Sequence, residues 1–140
     1  MKIRFVIPCL LGLESIIANE MKTLGAEDVV SENGRVLFSG DEAMLARANI
    51  CSRFSERIQI LVGEFYARSF EELFQGTKAL PWAEWIGAYD AFPVKGYSLN
   101  STLFSVSDCQ SIIKKAVVER MKSKYGISWF DETGSVHQIQ

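Results

Sequence analysis

The 140-residue chain reads as an α+β protein, and three observations carry that reading. Short apolar runs of strand length alternate with segments of helical periodicity through the first 66 residues. The dipeptide Asn33-Gly34 stands between two strand-like runs, the strongest short hairpin signal a sequence offers. One long amphipathic helix, expected over 108–124, dominates the second half. Hydrophobic residues make up 48% of the chain and charged residues 23%, which supports a core and argues against disorder.

The elements follow in order. Ile3 to Ile7 forms a β-rich run ended by Pro8. From Gly12 to Leu24, apolar Leu13, Ile16, Ile17, Met21 and Leu24 recur at helical spacing, closed by Gly25 as a C-terminal cap. Glu27–Glu32 and Arg35–Ser39 flank Asn33-Gly34 as the arms of a hairpin. Asp41 is the N-cap candidate of a second helix that buries Met44, Leu45, Ala48 and Cys51 or Ser52. Ile58 to Val62 returns as a strand, with room to extend past Gly63 to Tyr66. This β-α-β-β-α-β order is the split arrangement called ferredoxin-like. It defines a first domain over 1–66.

The second domain, 67–140, has a different rhythm. Ser69 caps a short helix with Phe70, Leu73 and Phe74 on one side and Glu72 completing a capping box; Gly76 is expected to stop it. Pro81-Trp82 restarts a short helix in which Trp82, Trp85 and Ile86 share a side. At that spacing the tryptophans fit a core better than a base-stacking surface. A strand is expected over Phe92–Leu99, with Gly96 allowing close backbone approach. After the polar turn Asn100-Ser101-Thr102, a Ser107–Gln110 capping box opens the long helix and Gly126 closes it. Ser135 to Gln140 alternates like a strand just begun, so the chain is expected to stop inside a domain.

The net charge of −2 conceals an asymmetry. Residues 91–126 carry six basic side chains (Lys95, Lys114, Lys115, Arg120, Lys122, Lys124) against Asp108 and Glu119, while every other segment is acidic. On the long helix, Cys109, Ile112, Ile113, Ala116, Val117 and Met121 share one arc. Ser111, Lys115 and Lys122 lie opposite, with Lys114 at the border. Arg120 and Lys124 point toward the packed side, where cations in the last turns complement the helix dipole. For Lys114, Lys115 and Lys122, spacing alone leaves two readings open: a solvated face or an anion-contact face. Lys95, Ser98, Asn100, Ser101, Thr102, Ser105 and Ser107 favour the second. They place a cation and many small hydrogen-bonding groups ahead of a helix N-terminus, whose amides favour phosphate, although Asp108 competes for the same potential.

Several chemistries find no support. No G-x-G-x-x-G or G-x-x-x-x-G-K-[ST] loop is present. Cys9, Cys51 and Cys109 are widely spaced and odd in number, so they outline neither a disulfide framework nor a zinc site; Cys9 and Cys51 are expected to be small buried hydrophobes in a reducing, cytoplasmic setting. The single His137 would have to meet a cysteine to form a catalytic pair. No metal site and no catalytic residue is expected in this chain. The apolar stretch Phe5–Leu13, broken by Pro8 and Gly12, is far short of the roughly 20 residues of a membrane span.

Specific stretches carry a family resemblance. They are Leu11–Glu14, Glu32–Val36, Leu45–Asn49, Phe70–Trp82, Phe92–Gly96 and Ser105–Ala116. In this order they resemble the N-terminal part of bacterial 23S ribosomal RNA guanine-N2 methyltransferases with a THUMP domain, a group also called N6-adenine-specific DNA methylases. The resemblance implies a ferredoxin-like domain followed by an incomplete THUMP domain, with 136–140 beginning its final hairpin. It further implies an S-adenosylmethionine-dependent catalytic domain outside these residues, so no cofactor is expected on this chain. The RNA-facing positions it implies are Lys95, Ser98, Ser101, Ser105, Gln110, Lys114 and Lys115, to which the helix pattern adds Lys122. The expected partners are structured RNA, with 23S rRNA foremost, and the parent's own methyltransferase domain. The rival reading is a ferredoxin-like regulatory or oligomerisation module. A free-standing enzyme is a distant third.

Overall fold

The computed structural model describes all 140 residues, and these divide into two compact units, Met1–Val62 and Gly63–Gln140. In the first unit, β1 (Ile3–Pro8), α1 (Glu14–Thr23), β2 (Glu27–Glu32), β3 (Arg35–Gly40), α2 (Glu42–Cys51) and β4 (Gln59–Ile60) follow the expected order. The sheet is antiparallel throughout, in the order β2-β3-β1-β4. β1 and β2 are thus separated by β3, as the split arrangement requires. β4 is shorter than expected, with Leu61 adding one bond from its N–H to the Arg4 carbonyl (2.9 Å).

Alternation explains the core of this unit. Ile3, Phe5 and Ile7 point to one face of β1 and are buried, with Val36 and Phe38 beside them on β3. Phe5 and Phe38 are register partners, and their ring centroids are 5.0 Å apart. Ile17, Ala18 and Met21 of α1 and Met44 and Ala48 of α2 are the buried helical residues. Ile16 and Cys51 are exposed, so the apolar arcs are narrower than the spacing suggested. Cys51 is the last residue of α2.

Local chemistry sets the boundaries. Asp41 caps α2 by accepting the Met44 N–H (2.8 Å). At the end of α1, Gly25 takes a left-handed φ of 96°. Its N–H donates to the Lys22 carbonyl and that of Ala26 to the Met21 carbonyl, the two bonds of a Schellman cap.

Glu14 has a larger role than its place on an exposed helix suggests. Its carboxylate accepts the N–H of Gly12 (2.7 Å) and, across the chain, that of Gly34 in the hairpin turn (3.0 Å). The amide of Gly34, then those of Glu14 itself and of Gly12, hold this carboxyl below its ordinary pKa of 4.5. A lowered carboxyl contributes stability above its unfolded pKa and loses it as pH falls through the folded one. Glu14→Gln is therefore expected to lower the thermal midpoint at pH 7. The gap from the wild type should close as the pH drops below 4.5; a gap that is constant with pH would contradict the latch.

The second unit is built on α3 (Phe70–Lys78), a 3-10 turn (Trp82–Glu84) and α4 (Val106–Tyr125). Trp82, Ile86, Phe92, Ala116, Val117 and Met121 form its core, and Trp85 is half-buried. The Trp82 indole donates to the Thr77 carbonyl (2.7 Å), and the Tyr125 hydroxyl donates to that of Ile86 (2.9 Å).

Five local expectations are corrected here. Gly76 does not end α3, which runs two residues further. A Cβ at that position would collide with the Phe65 ring, so the glycine serves close packing rather than termination. Glu72 accepts the N–H of Arg68 (2.6 Å), one residue before the cap, while Ser69 accepts that of Glu72 (3.2 Å). α4 begins at Val106 with Ser105 at the N-cap, so the Ser107–Gln110 box does not form. Residues 92–99 do not form a regular strand. The extended chain bridges in parallel at Ala91–Val136 and Val94–Ile139, and Pro93, without an N–H, can only accept. Gly96 faces open space.

Candidate nucleic-acid interface

The loop ahead of α4 is shaped by its serines. Ser98 Oγ donates to the Leu103 carbonyl (2.8 Å), and Ser101 Oγ accepts the Leu103 N–H (3.2 Å). Asn100 takes a positive φ of 49° to close the turn. Ser105 caps α4 by position, but its hydroxyl makes no capping bond and remains available beside the first-turn amides. Lys95 precedes this loop with an exposed side chain, while its N–H donates to the Ile139 carbonyl (2.9 Å). Lys95, Ser101 and Ser105 thus belong to one polar approach to a helix N-terminus; Ser98 is half-buried and serves mainly to staple it.

The cations of α4 separate into two groups. Lys114 is tied inward: its ammonium donates to the Phe92 carbonyl (3.0 Å), pairs with Glu132 and sits 3.7 Å from the Phe92 ring centroid. Glu132 also accepts the Phe92 N–H (3.4 Å). Lys114 therefore clasps the 91–95 segment and the Glu132 loop onto α4. Lys122 pairs with Glu119 (3.4 Å), one turn back. Gln110 is half-buried and makes no side-chain hydrogen bond.

Lys115 is different. It is exposed and carries no ion pair, and its ammonium lies 5.8 Å from the Phe74 ring centroid on α3. Arg120 and Lys124 are also exposed rather than packed, and with Ser123 they line an open groove of about 540 Å³ against Pro81, Ala83 and Glu84. Lys78 was missed by sequence reasoning. It lies outside the basic 91–126 segment, yet its ammonium stands 5.9 Å from the same Phe74 ring. The pairing of two helical periodicities, Phe74 with Lys78 at i+4 and Lys115 on the outer arc of α4, was the available signal.

Burial, and then the Glu14 carboxylate, push the Cys9 thiol above its ordinary value, the reverse of an activated nucleophile. His137 Nε2 stands 3.2 Å from Asp90 Oδ2. No three His, Cys, Asp or Glu side chains are grouped to hold a metal ion, and no helix is long and apolar enough to cross a membrane.

Two family profiles match the chain. The profile of the RlmL ferredoxin-like domain matches residues 4–59, and that of the THUMP domain matches residues 67–140. A Bacillus subtilis (strain 168) protein named "Putative RNA methyltransferase YpsC" is 43% identical over 132 residues, covering 93% of this chain and 34% of its own length. The ribosomal RNA large subunit methyltransferase K/L of Aeromonas salmonicida (strain A449) is 31% identical over 86% of this chain and 17% of its own length. A crystal structure of a "predicted N6-adenine-specific DNA methylase" from Listeria monocytogenes superposes with a TM-score of 0.94 at 44% identity, covering 99% of this chain and 36% of that one. The chain thus spans about a third or less of the length of these relatives. It belongs to the THUMP-domain family, with a ferredoxin-like domain of the RlmL type ahead of the THUMP domain.

Proposed function

We propose that the chain is the RNA-binding and RNA-positioning part of a ribosomal RNA guanine-N2 methyltransferase that acts in the cytoplasm on 23S rRNA. In this reading the residues that bind S-adenosylmethionine and transfer its methyl group lie outside the 140 described here. The observation that carries the reading is the unpaired state of Lys95, ahead of the Ser105 helix terminus in the chain, and of Lys115, ten residues into the same helix, in a chain whose net charge is −2. Cations without counter-ions suit phosphate oxygens, as do the free amides and hydroxyl of a helix N-terminus.

Contacts of this kind fix the orientation of an RNA without reading its sequence. The target base must still leave its stack to reach a methyl donor, so a module that holds the flanking structure has a defined use. Lys114 fits the reading chiefly as the clasp that keeps the 91–95 segment in place; it would reach a phosphate only by exchanging Glu132 for it. The test is binding of a fluorescein-labelled RNA hairpin followed by anisotropy at several salt concentrations. Two to four phosphate contacts predict a log–log slope of roughly −1.5 to −3.5. Absence of binding at low salt, or a slope near zero, would overturn the reading. Salt-insensitive dimerisation without RNA would favour the oligomerisation module instead.

A further inference from the structure

We infer that Lys78 and Lys115 together seat one phosphate group of an RNA backbone beside the Phe74 ring, an inference that rests on the RNA-binding reading above. Lys78 ends α3 and Lys115 lies midway along α4, and packing of the two helices brings both ammonium groups to one ring. They stand 5.9 and 5.8 Å from its centroid, and therefore no more than twice that distance apart.

The acidic residues of α3, and Glu119 four residues on from Lys115, bond to other groups. Glu71 accepts the Gln75 amide (2.9 Å), Glu72 accepts the Arg68 N–H, and Glu119 pairs with Lys122 (3.4 Å). Neither Lys78 nor Lys115 has an ion pair or a side-chain hydrogen bond. The negative ring face attracts each cation but does not cancel two full charges. Two ammonium groups gathered by packing and left without an anion repel one another, and an anion placed between them removes that repulsion.

A phosphodiester suits the place because its two non-bridging oxygens can each accept from one ammonium once the flexible lysine stems draw the two together around it. Continuity with the loop and helix terminus argues for RNA as its source. Lys115 lies ten residues beyond Ser105 on the same helix, about 15 Å along the axis, a span that a short stretch of backbone covers. The seat thus extends the Lys95–Ser105 surface across α4 onto α3.

The test uses the chain with the same labelled hairpin, comparing Lys78→Gln, Lys78→Arg and, as a control in the first unit, Lys22→Gln. Loss of one phosphate contact should weaken binding about fivefold at 0.15 M salt and make the log–log slope shallower by roughly 0.7–0.9. Lys78→Arg should keep the wild-type slope, and Lys22→Gln should change nothing. A thermal melt for each variant separates loss of contact from loss of fold, since misfolding would lower the melt without a specific change of slope. If the wild type binds with the expected slope and Lys78→Gln leaves it unchanged, the seat is refuted while the RNA-binding reading stands. If the wild type does not bind at all, both fall.

Discussion

Lys95→Ala combined with Lys115→Ala is expected to weaken RNA-hairpin binding about 25-fold at 0.15 M salt, while the thermal midpoint stays within about a degree or two of wild type. The two side chains are exposed and make no ion pair, so their removal costs phosphate contacts and little else. Lys114→Met should behave in the opposite way. Its ammonium holds the Phe92 carbonyl and Glu132 and stacks on the Phe92 ring, so its loss should lower the midpoint first. Anisotropy and a thermal melt on the same samples distinguish the two outcomes. Equal loss of affinity in both variants, with equal melts, would contradict the division of the α4 cations into outward and inward groups.

Phe38→Ala carries the largest expected effect on stability, about 3–5 kcal/mol by chemical denaturation. The side chain is 1% exposed, stands opposite Phe5 across the β1–β3 ladder and packs ring against ring at 5.0 Å. Its removal leaves a cavity in the core of the first unit. A cost below about 1.5 kcal/mol would mean that the core of the first unit is looser than its burial implies.

What could be read from the sequence was mainly local. The β-α-β-β-α-β order, the Asn33-Gly34 hairpin, the Asp41 cap and the glycine ends of α1 and α4 each depend on residues within a few positions of one another. The errors arose where a distant residue decides. Gly76 reads as a stop until the Phe65 ring is seen against it. Residues 92–99 read as a strand, yet they have only a short partner segment at 135–139 to pair with. The helix pattern placed Lys114 at the edge of the exposed arc but could not show Glu132 and the Phe92 ring waiting for it. Arg120 and Lys124 looked packed because periodicity marks the side of α4 that meets the Pro81–Glu84 segment but does not show that an open groove separates them there. Lys78 was overlooked for the related reason that only the packing of α3 on α4 brings it to Lys115.

The most direct test of the central claim is an amide-resolved NMR titration of the chain with the RNA hairpin. Binding through the second unit predicts salt-sensitive shifts concentrated at residues 95–107 and around Lys115 and Lys78, with residues 1–62 largely unmoved. Shifts confined to the first unit, or none that depend on salt, would contradict it.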